Sequence, residues 1–314
     1  MDLARGTWSI KAPLSAPRSH PAVAVYGGRI YSFGGGGPAF KSLNLSEVYD
    51  PKTNRWSSLR PMPTFRSGAA AVAAGNAIYV IGGGFKKPDR KFKFLTAVEI
   101  YLPEEDRWEA GPDLLQPHDY PAYALLDGKI YIVGGHHPNA TEGGPQTDPA
   151  FSFSERWQPG SDRWEEMAPM PTPRFAASAV AIENGLWVLG GVAFTPQGFN
   201  EYDRIEVYHP QRGEWALSPV SLPWPSAGQG ACVLNGQLYS LGGFRGSEGI
   251  GAQGAACNLA KKTWSDLPPM PAPSAAMGVA VVDQALYLIG GWAADRSVMD
   301  SVAVYRPEPE IPPI

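Results

Sequence analysis

The fold of this chain is decided by the stretch Ala77-Ile78-Tyr79-Val80-Ile81-Gly82-Gly83, which is one of six copies of the same pattern. In every copy an aromatic residue stands three positions before the first glycine of a doublet. Aromatic and β-branched residues that run into glycine are typical of a short strand ending in a turn. The doublets are Gly34-Gly35, Gly82-Gly83, Gly134-Gly135, Gly190-Gly191, Gly242-Gly243 and Gly290-Gly291. A unit repeated in this way predicts a modular β-protein.

A tryptophan is the second landmark of each unit. The six are Trp8, Trp56, Trp108, Trp164, Trp215 and Trp264. From each tryptophan to the next doublet the distance is 26 or 27 residues, whereas from a doublet to the next tryptophan it varies between 21 and 29. One half of the unit therefore has a constant length, as strands and tight turns require, and the other half contains a variable loop.

The residue pattern within a unit predicts four antiparallel strands. In the second unit a proline-rich loop at 60–66 precedes strands at 68–73 and 77–82. A third strand, such as the one at 46–49, follows the variable loop, and the fourth strand carries the tryptophan. Six such units predict an all-β fold, a six-bladed β-propeller of four-stranded antiparallel blades. The glycine doublets and the spaced aromatic residues resemble the Kelch repeat over essentially the whole chain, and this resemblance implies the same fold.

The two ends of the chain are expected to share one blade. The last unit has Tyr305 but no tryptophan after it, and Trp8 is surplus at the start. We therefore expect the N-terminal strand to pair in the last blade, which closes the ring and removes two open sheet edges. The single predicted domain, 1–314, divides into blade one at about 18–58, blade two at 66–110, blade three at 118–166, blade four at 174–217, blade five at 226–266, and blade six at 274–306 together with 6–10.

Composition and charge narrow the possible functions. A formal charge of −4 and a pI near 5.8 argue against general binding to nucleic acid or to anionic membranes. The sequence has no secretory signal pattern and no run of about 18 apolar residues. Cys232 and Cys257 are too few for a disulfide framework. These features predict a soluble, cytoplasmic monomer, and no cofactor is predicted.

Three arginines are the first candidates for ligand binding. In a propeller the variable loops and the inter-blade loops share one face, around the mouth of the central channel. Arg18, Arg66 and Arg174 each lie ten residues after a tryptophan, in the inter-blade loops. Three guanidinium groups around one channel mouth predict a site for an anionic small ligand or an acidic peptide or protein segment. The alternative is that these arginines belong to the repeat and have a structural role.

The residues that follow the doublets supply a second set of candidates. They include His136, Phe244 and Trp292, and Trp224 lies at an insertion in an inter-blade loop. Aromatic side chains at the mouth predict stacking on a ring-bearing ligand. For the two tryptophans, packing within the loops is the alternative.

Histidines at the third blade are the candidates for catalysis or metal binding. His118-Asp119 and His136-His137 could meet at the mouth, where His118 and Asp119 would transfer a proton or His118, His136 and His137 would bind a metal. No zinc-site spacing of His and Cys is present, so no metal is predicted and solvated loop histidines are the alternative.

The resemblance to Kelch propellers leaves two functions open. Such propellers serve as protein-binding modules and, less often, as enzymes. The first hypothesis is a binding propeller for an anionic or ring-bearing small ligand, or for a peptide, at the mouth. The alternative is a small-molecule enzyme similar to the sialic-acid mutarotases, with arginine anchors and a His118/Asp119 pair. Both hypotheses predict that Arg66→Ala with Arg174→Ala abolishes binding while the fold survives.

Overall fold

The structure is a computed structural model that describes residues 6–87, 91–138, 150–195 and 198–308. Its strands form six four-stranded antiparallel blades around a central channel. The predicted all-β, six-bladed propeller is therefore confirmed. No helix in these described ranges is long and apolar enough to span a membrane.

The chain enters through a strand of the last blade and then builds the first two blades in order. The first strand is β1 (Gly6–Lys11). Blade one consists of β2 (Ala22–Tyr26), β3 (Arg29–Phe33), β4 (Ser46–Asp50) and β5 (Arg55–Ser58), with a short 3-10 helix at Pro38–Phe40. Blade two begins with β6 (Ala70–Ala74) and β7 (Ala77–Ile81), continues through a separate hairpin of β8 (Gly84–Lys86) and β9 (Phe92–Phe94), and ends with β10 (Val98–Leu102) and β11 (Arg107–Ala110).

The next two blades follow the same plan. Blade three consists of β12 (Ala122–Leu126), β13 (Lys129–Val133), β14 (Ser154–Trp157) and β15 (Glu165–Glu166). Blade four begins with β16 (Ser178–Ile182) and β17 (Gly185–Leu189), adds a second separate hairpin of β18 (Val192–Thr195) and β19 (Gly198–Glu201), and ends with β20 (Ile205–His209) and β21 (Glu214–Leu217).

The last two blades complete the ring. Blade five consists of β22 (Gly230–Leu234), β23 (Gln237–Leu241), β24 (Gly254–Asn258) and β25 (Thr263–Asp266), with a 3-10 helix at Gly246–Glu248. Blade six consists of β26 (Gly278–Val282), β27 (Ala285–Ile289), β28 (Val302–Pro307) and the N-terminal strand β1. Strand β1 pairs antiparallel with β28, so that Trp8 lies opposite Tyr305. The predicted closure by the N-terminal strand is confirmed.

The innermost strands need small residues because neighbouring blades converge there. A Cβ atom added to Gly278 on β26 would lie 2.2 Å from a methyl group of Val23 on β2. A Cβ atom added to Gly230 on β22 would lie 2.7 Å from a methyl group of Val279 on β26. The alanine- and glycine-rich first strands are thus a requirement of close packing.

Each landmark tryptophan makes a hydrogen bond between its own blade and the loop that leads into that blade. Its indole N–H donates to a backbone carbonyl of that loop at 2.8–3.0 Å. The acceptors for Trp8, Trp56, Trp108, Trp164, Trp215 and Trp264 are Pro268, Ala12, Arg60, Pro112, Ala168 and Ser221. This bond explains the constant tryptophan, because indole combines a large apolar body with a single donor.

The glycine doublets are the junctions between blades. The second glycine of each doublet donates its N–H to a backbone carbonyl in the next inter-blade loop at 2.7–2.9 Å, as Gly83 does to His118. A Cβ atom on Gly82 would lie 2.6 Å from that same carbonyl oxygen, and Gly82 has a φ of 63°. Only glycine meets both conditions without strain.

A closed belt of backbone hydrogen bonds surrounds the channel at its mouth. Each member donates its N–H to the carbonyl of the corresponding residue in the preceding blade, at 2.7–3.4 Å. All six members have a left-handed backbone, with φ between 49° and 65°. The members of this belt are His20, Gly68, Tyr120, Ala176, Gly228 and Ala276. Four of them are not glycine, and a left-handed conformation costs such residues about 1–2 kcal/mol each, so the belt must be held by the packing of the blades around it.

Candidate functional site

The three candidate arginines lie inside the blades and not at the mouth. Arg18, Arg66 and Arg174 are each exposed by 1% or less. Each pairs with a buried glutamate on the third strand of its own blade: Arg18 with Glu47, Arg66 with Glu99 at 2.9 Å, and Arg174 with Glu206 at 2.7 Å. The prediction that these guanidinium groups line the mouth is corrected, because the groups are already committed to internal ion pairs.

These arginines have a structural role that the hydrogen bonds make clear. The side chain of Arg66 donates to the carbonyl of Gly82 in its own blade at 3.0 Å, while its backbone carbonyl accepts from Gly35 of the preceding blade. Burial lowers the pKa of each guanidinium, and the paired glutamate opposes that shift. The arginine therefore connects the junctions of two neighbouring blades.

His118 occupies the same position in blade three. Its side chain is completely buried, with Nδ1 2.6 Å from the carbonyl oxygen of Gly134 and Nε2 3.2 Å from a carboxylate oxygen of Glu155. The imidazole thus replaces an arginine in the blade-internal pair. This corrects the prediction of His118 as a catalytic or metal-binding residue at the mouth, since its ring nitrogens face internal oxygens.

Blades five and six lack both members of the pair. Ser226 and Ser274 stand in the arginine position, and Ala255 and Ala303 stand in the glutamate position. The sequence carries a signal for this that our prediction missed. A glutamate two residues before the third-strand aromatic occurs in the four units with Arg or His in the loop, and in neither unit with Ser. Because the loop Arg or His and the third-strand glutamate are present together or absent together, the sequence indicates that they are in contact within the blade.

The open end of the channel carries an aromatic bowl of about 390 Å³. Blades one, three, four, five and six all contribute to its lining. Its rings belong to His20, Phe40, Tyr120, His136, Phe175, Phe194, Phe199, Phe244 and Trp292. Its charged lining residues are Glu201 and Arg296. Cavities of this size with apolar walls and few polar groups are typical of ligand sites.

Two layers of backbone position the bowl. The belt forms its floor through His20 and Tyr120. Above the belt, His136, Phe244 and Trp292 each follow a glycine doublet and form an antiparallel bridge with the residue that precedes a belt member. The repeat spacing therefore sets these three side chains around one cavity, although His136 and Phe244 are 108 residues apart along the chain and Phe244 and Trp292 are 48 apart.

The rings of the bowl form two connected walls. On one side Trp292 contacts Phe244 and Phe40, with ring centroids 5.6 and 6.0 Å apart. On the other side Phe175 lies 4.0 Å from His136 and 5.9 Å from Phe194 between ring centroids. Edge-to-face and tilted contacts in this distance range are favourable. A flat apolar or aromatic group would find ring surfaces on both sides.

Of the predicted acidic and histidine candidates, the structure brings Asp119 and His136 together, whereas His118 and His137 have other partners. Asp119 is buried and accepts from His136, whose Nδ1 lies 2.9 Å from Asp119 Oδ2. His137 instead contacts Phe151, with ring centroids 5.1 Å apart. Within the described ranges no group of three His, Cys, Asp or Glu side chains is arranged to hold a metal. Much of the long loop of blade three, 139–149, lies outside the described residues.

Trp224 and His20 depart from the predicted set in opposite ways. Trp224 does not line the bowl and packs against Arg245, whose guanidinium carbon lies 4.6 Å from its ring centroid. His20 lines the bowl but was not among the predicted binding residues. Burial, and secondarily the charge of His136, lower the pKa of His20 to about 3. The sequence shows that His20, Gly68 and Tyr120 occupy equivalent positions of the repeat. It does not show that these positions form a hydrogen-bonded belt around the channel.

A second depression, of about 530 Å³, lies on the outer strands of blade one. Its lining includes Arg29, Asp50 and Arg55, which belong to one blade only. The aromatic bowl is the better candidate because five blades converge on it and because its walls are apolar.

A family model describing the KLHDC2/KLHL20/DRC7 Kelch-repeats domain matches residues 68–291, and a Kelch motif matches residues 17–63. This chain belongs to the Kelch-repeat family. Kelch-like protein 36 of Bos taurus is 28% identical over 256 residues, which cover 78% of the chain and 38% of that protein. Kelch repeat and BTB domain-containing protein 12 of Danio rerio is 27% identical over 174 residues, 52% of the chain and 28% of that protein. Beta-scruin of Limulus polyphemus is 28% identical over 253 residues, 78% of the chain and 27% of that protein.

The chain thus spans between about a quarter and two fifths of the length of these curated Kelch relatives. Among solved structures, that of YjhT superposes with a TM-score of 0.79 at 17% identity and covers 94% of this chain and 96% of that one. This likeness supports the propeller fold.

Proposed function

We propose that this Kelch propeller is a binding module that captures a ring-bearing group, carried by a peptide or protein segment, in the aromatic bowl. The bowl itself carries this proposal, because five blades bring nine rings around one cavity of about 390 Å³. Aromatic side chains in fully desolvated pockets dominate the energy of protein interfaces. The membership in the Kelch-repeat family supports a protein as the source of the ring.

The predicted ligand was anionic or ring-bearing, and the lining of the bowl supports a ring more strongly than a negative charge. The buried arginines offer no charge at the mouth, so an acidic group would need other cations. Arg296 lies with its guanidinium 6.0 Å from the ring centroid of Phe244, and Lys86 lies with its ammonium 5.8 Å from that of Phe40. An acidic residue beside the captured ring would meet these two charges at the rim.

The test of this proposal is the binding of short labelled peptides, followed by fluorescence polarisation. The peptides carry a central Tyr or Trp flanked by Asp. We expect Trp292→Ala with Phe244→Ala to weaken binding by about tenfold or more, as for an interface hot spot. The matched control is Phe65→Ala, since Phe65 is 52% exposed and outside the bowl. Equal losses in both variants, or no binding to the unchanged protein, would refute the proposal.

One observation favours the enzyme as a second candidate. His136 lines the bowl and its imidazole is oriented by the buried carboxylate of Asp119 at 2.9 Å. A carboxylate that orients an imidazole is a common arrangement for general acid–base catalysis. In a mutarotase-like reaction His136 would take the part first assigned to His118.

This second candidate is tested with N-acetylneuraminic acid. Exchange between its anomers is followed by NMR with and without the protein. The enzyme hypothesis expects faster exchange that His136→Gln removes and His137→Gln preserves. An exchange rate that the unchanged protein does not alter would eliminate this substrate.

A further inference from the structure

His20 is one of the belt members that line both the bowl and the channel below it. It lines the bowl, and it also lines the cavity of about 100 Å³ immediately beneath. Four of the other belt members are glycine or alanine, and the fifth is Tyr120. The floor of the bowl therefore presents two side chains with polar atoms, His20 and Tyr120.

The imidazole of His20 has ring contacts but no hydrogen bond to any residue that the structure describes. Its ring centroid lies 4.3 Å from that of Tyr120 and 4.8 Å from that of Trp292, perpendicular to the indole. These contacts place the imidazole against one wall of the bowl, through Trp292, and beside Tyr120 on the floor. A polar group in such surroundings gains most from a partner that arrives with the ligand, because unmade hydrogen bonds are costly in apolar surroundings.

The charge state of this imidazole restricts that partner. The pKa of His20 is lowered to about 3 by burial and by the neighbouring His136, so the ring is neutral at physiological pH. A neutral imidazole offers one donor and one acceptor. A hydroxyl group complements either one, whereas a carboxylate or phosphate gains no charge from this ring and would lose its hydration.

We propose that His20 is the polar anchor of the aromatic bowl and selects an uncharged ring that bears a hydroxyl, namely the side chain of tyrosine in a partner segment. The proposal rests on the proposed binding function and adds the ligand class. The walls hold the phenol ring, and His20 makes the hydrogen bond at its tip. The same arrangement disfavours phosphotyrosine, since the phosphate at the tip of the ring would lie beside this uncharged anchor, whereas Arg296 lies against Phe244 at the rim. Phosphorylation of the partner would therefore release it.

The experiment compares three peptides that differ at one central position, Tyr, Phe or phosphotyrosine, by isothermal titration calorimetry. For the unchanged protein we expect the Tyr peptide to bind about fivefold more tightly than the Phe peptide, the worth of one neutral hydrogen bond. The phosphotyrosine peptide should bind more weakly than either. His20→Ala should remove the preference for Tyr over Phe. This variant suits the left-handed position, because Ala176 and Ala276 already occupy equivalent positions in the belt.

The matched control is His136→Ala, which also alters the bowl. It should weaken both peptides and leave their ratio unchanged. Equal affinity for Tyr and Phe in the unchanged protein, or a preference that survives His20→Ala, would overturn the anchor and leave the binding function intact. A preference lost in His136→Ala but kept in His20→Ala would also overturn it. Failure of all three peptides to bind would overturn the proposed function itself.

Discussion

Residues two positions apart in the same inter-blade loops face opposite environments. Arg66 points into its blade and pairs with Glu99, whereas Gly68 belongs to the belt around the channel. The same holds for Arg18 and His20, since the arginine is buried in an ion pair and the histidine lines the bowl. In each of these loops the arginine, which has the larger number of hydrogen-bonding groups, has a structural role. Function is better sought where the repeats differ, as they do at the belt and after the doublets.

The largest effect is expected from removing one member of a buried pair. Arg66→Ala should lower the free energy of unfolding by about 3–5 kcal/mol, because it leaves the carboxylate of Glu99 buried and unpaired. Urea unfolding measures this change. The result would reverse the expectation from the sequence, in which substitution of Arg66 and Arg174 spared the fold.

The controls for this prediction are taken from other positions of the same chain. The double variant Arg66→Ser with Glu99→Ala copies the combination found in blade six, so it should be more stable than Arg66→Ala alone. Arg212→Ala breaks an exposed pair with Glu214 and should cost about 0–1 kcal/mol. If Arg66→Ala were as mild as Arg212→Ala, the contrast between scaffold and bowl positions would be lost.

The next effect concerns the belt itself. A Cβ atom on Gly68 would lie 2.5 Å from the ring of Tyr120, whereas one on Gly228 would meet nothing closer than 3.4 Å. Gly228→Ala should cost about 1–2 kcal/mol for the left-handed backbone alone. Gly68→Ala should cost about 1–3 kcal/mol more from overpacking. Urea unfolding of the two variants sharpens the comparison, and equal losses would show that Tyr120 moves aside freely.

A smaller effect is expected from acid, through His20. The folded-state pKa of His20, about 3, is below the ordinary value of 6.5. Between these two pH values the unfolded chain therefore binds a proton at His20 and the folded protein does not. Stability from this group is complete above pH 6.5 and is lost as the pH falls from there towards 3. At pH 5 the loss should be about 1–2 kcal/mol. His20→Ala lacks this loss, so the difference in unfolding free energy between it and the unchanged protein should shift by that amount between pH 7.5 and 5. A constant difference would show that the pKa of His20 is not lowered in the folded protein.

The smallest effect is expected at Trp224. This residue packs on Arg245 and lies outside the bowl, so Trp224→Ala should change the affinity for a tyrosine peptide by less than about twofold. Trp292→Ala should weaken the same peptide by about tenfold. Fluorescence polarisation compares the two tryptophans directly. A large loss at Trp224 would extend the site beyond the bowl.

The sequence by itself determined the scaffold of this protein. The period of the doublets and tryptophans predicts the blades. The surplus Trp8 at the start and the absence of a tryptophan after Tyr305 predict the closure of the ring. Both features are properties of order and spacing along the chain. The same spacing indicated that His136, Phe244 and Trp292 lie at equivalent points of the ring, and the structure brings these side chains to one cavity.

Only the tertiary structure decided the direction of the loop side chains. Between Arg18 and His20 the backbone turns into the left-handed region, which sends one side chain into the blade and the other to the channel. That turn is held by belt hydrogen bonds to neighbouring blades, which no local pattern displays. The burial of Arg18 in turn depends on Glu47, 29 residues away in sequence. Long-range pairing and solvent exclusion therefore separated the scaffold residues from the site.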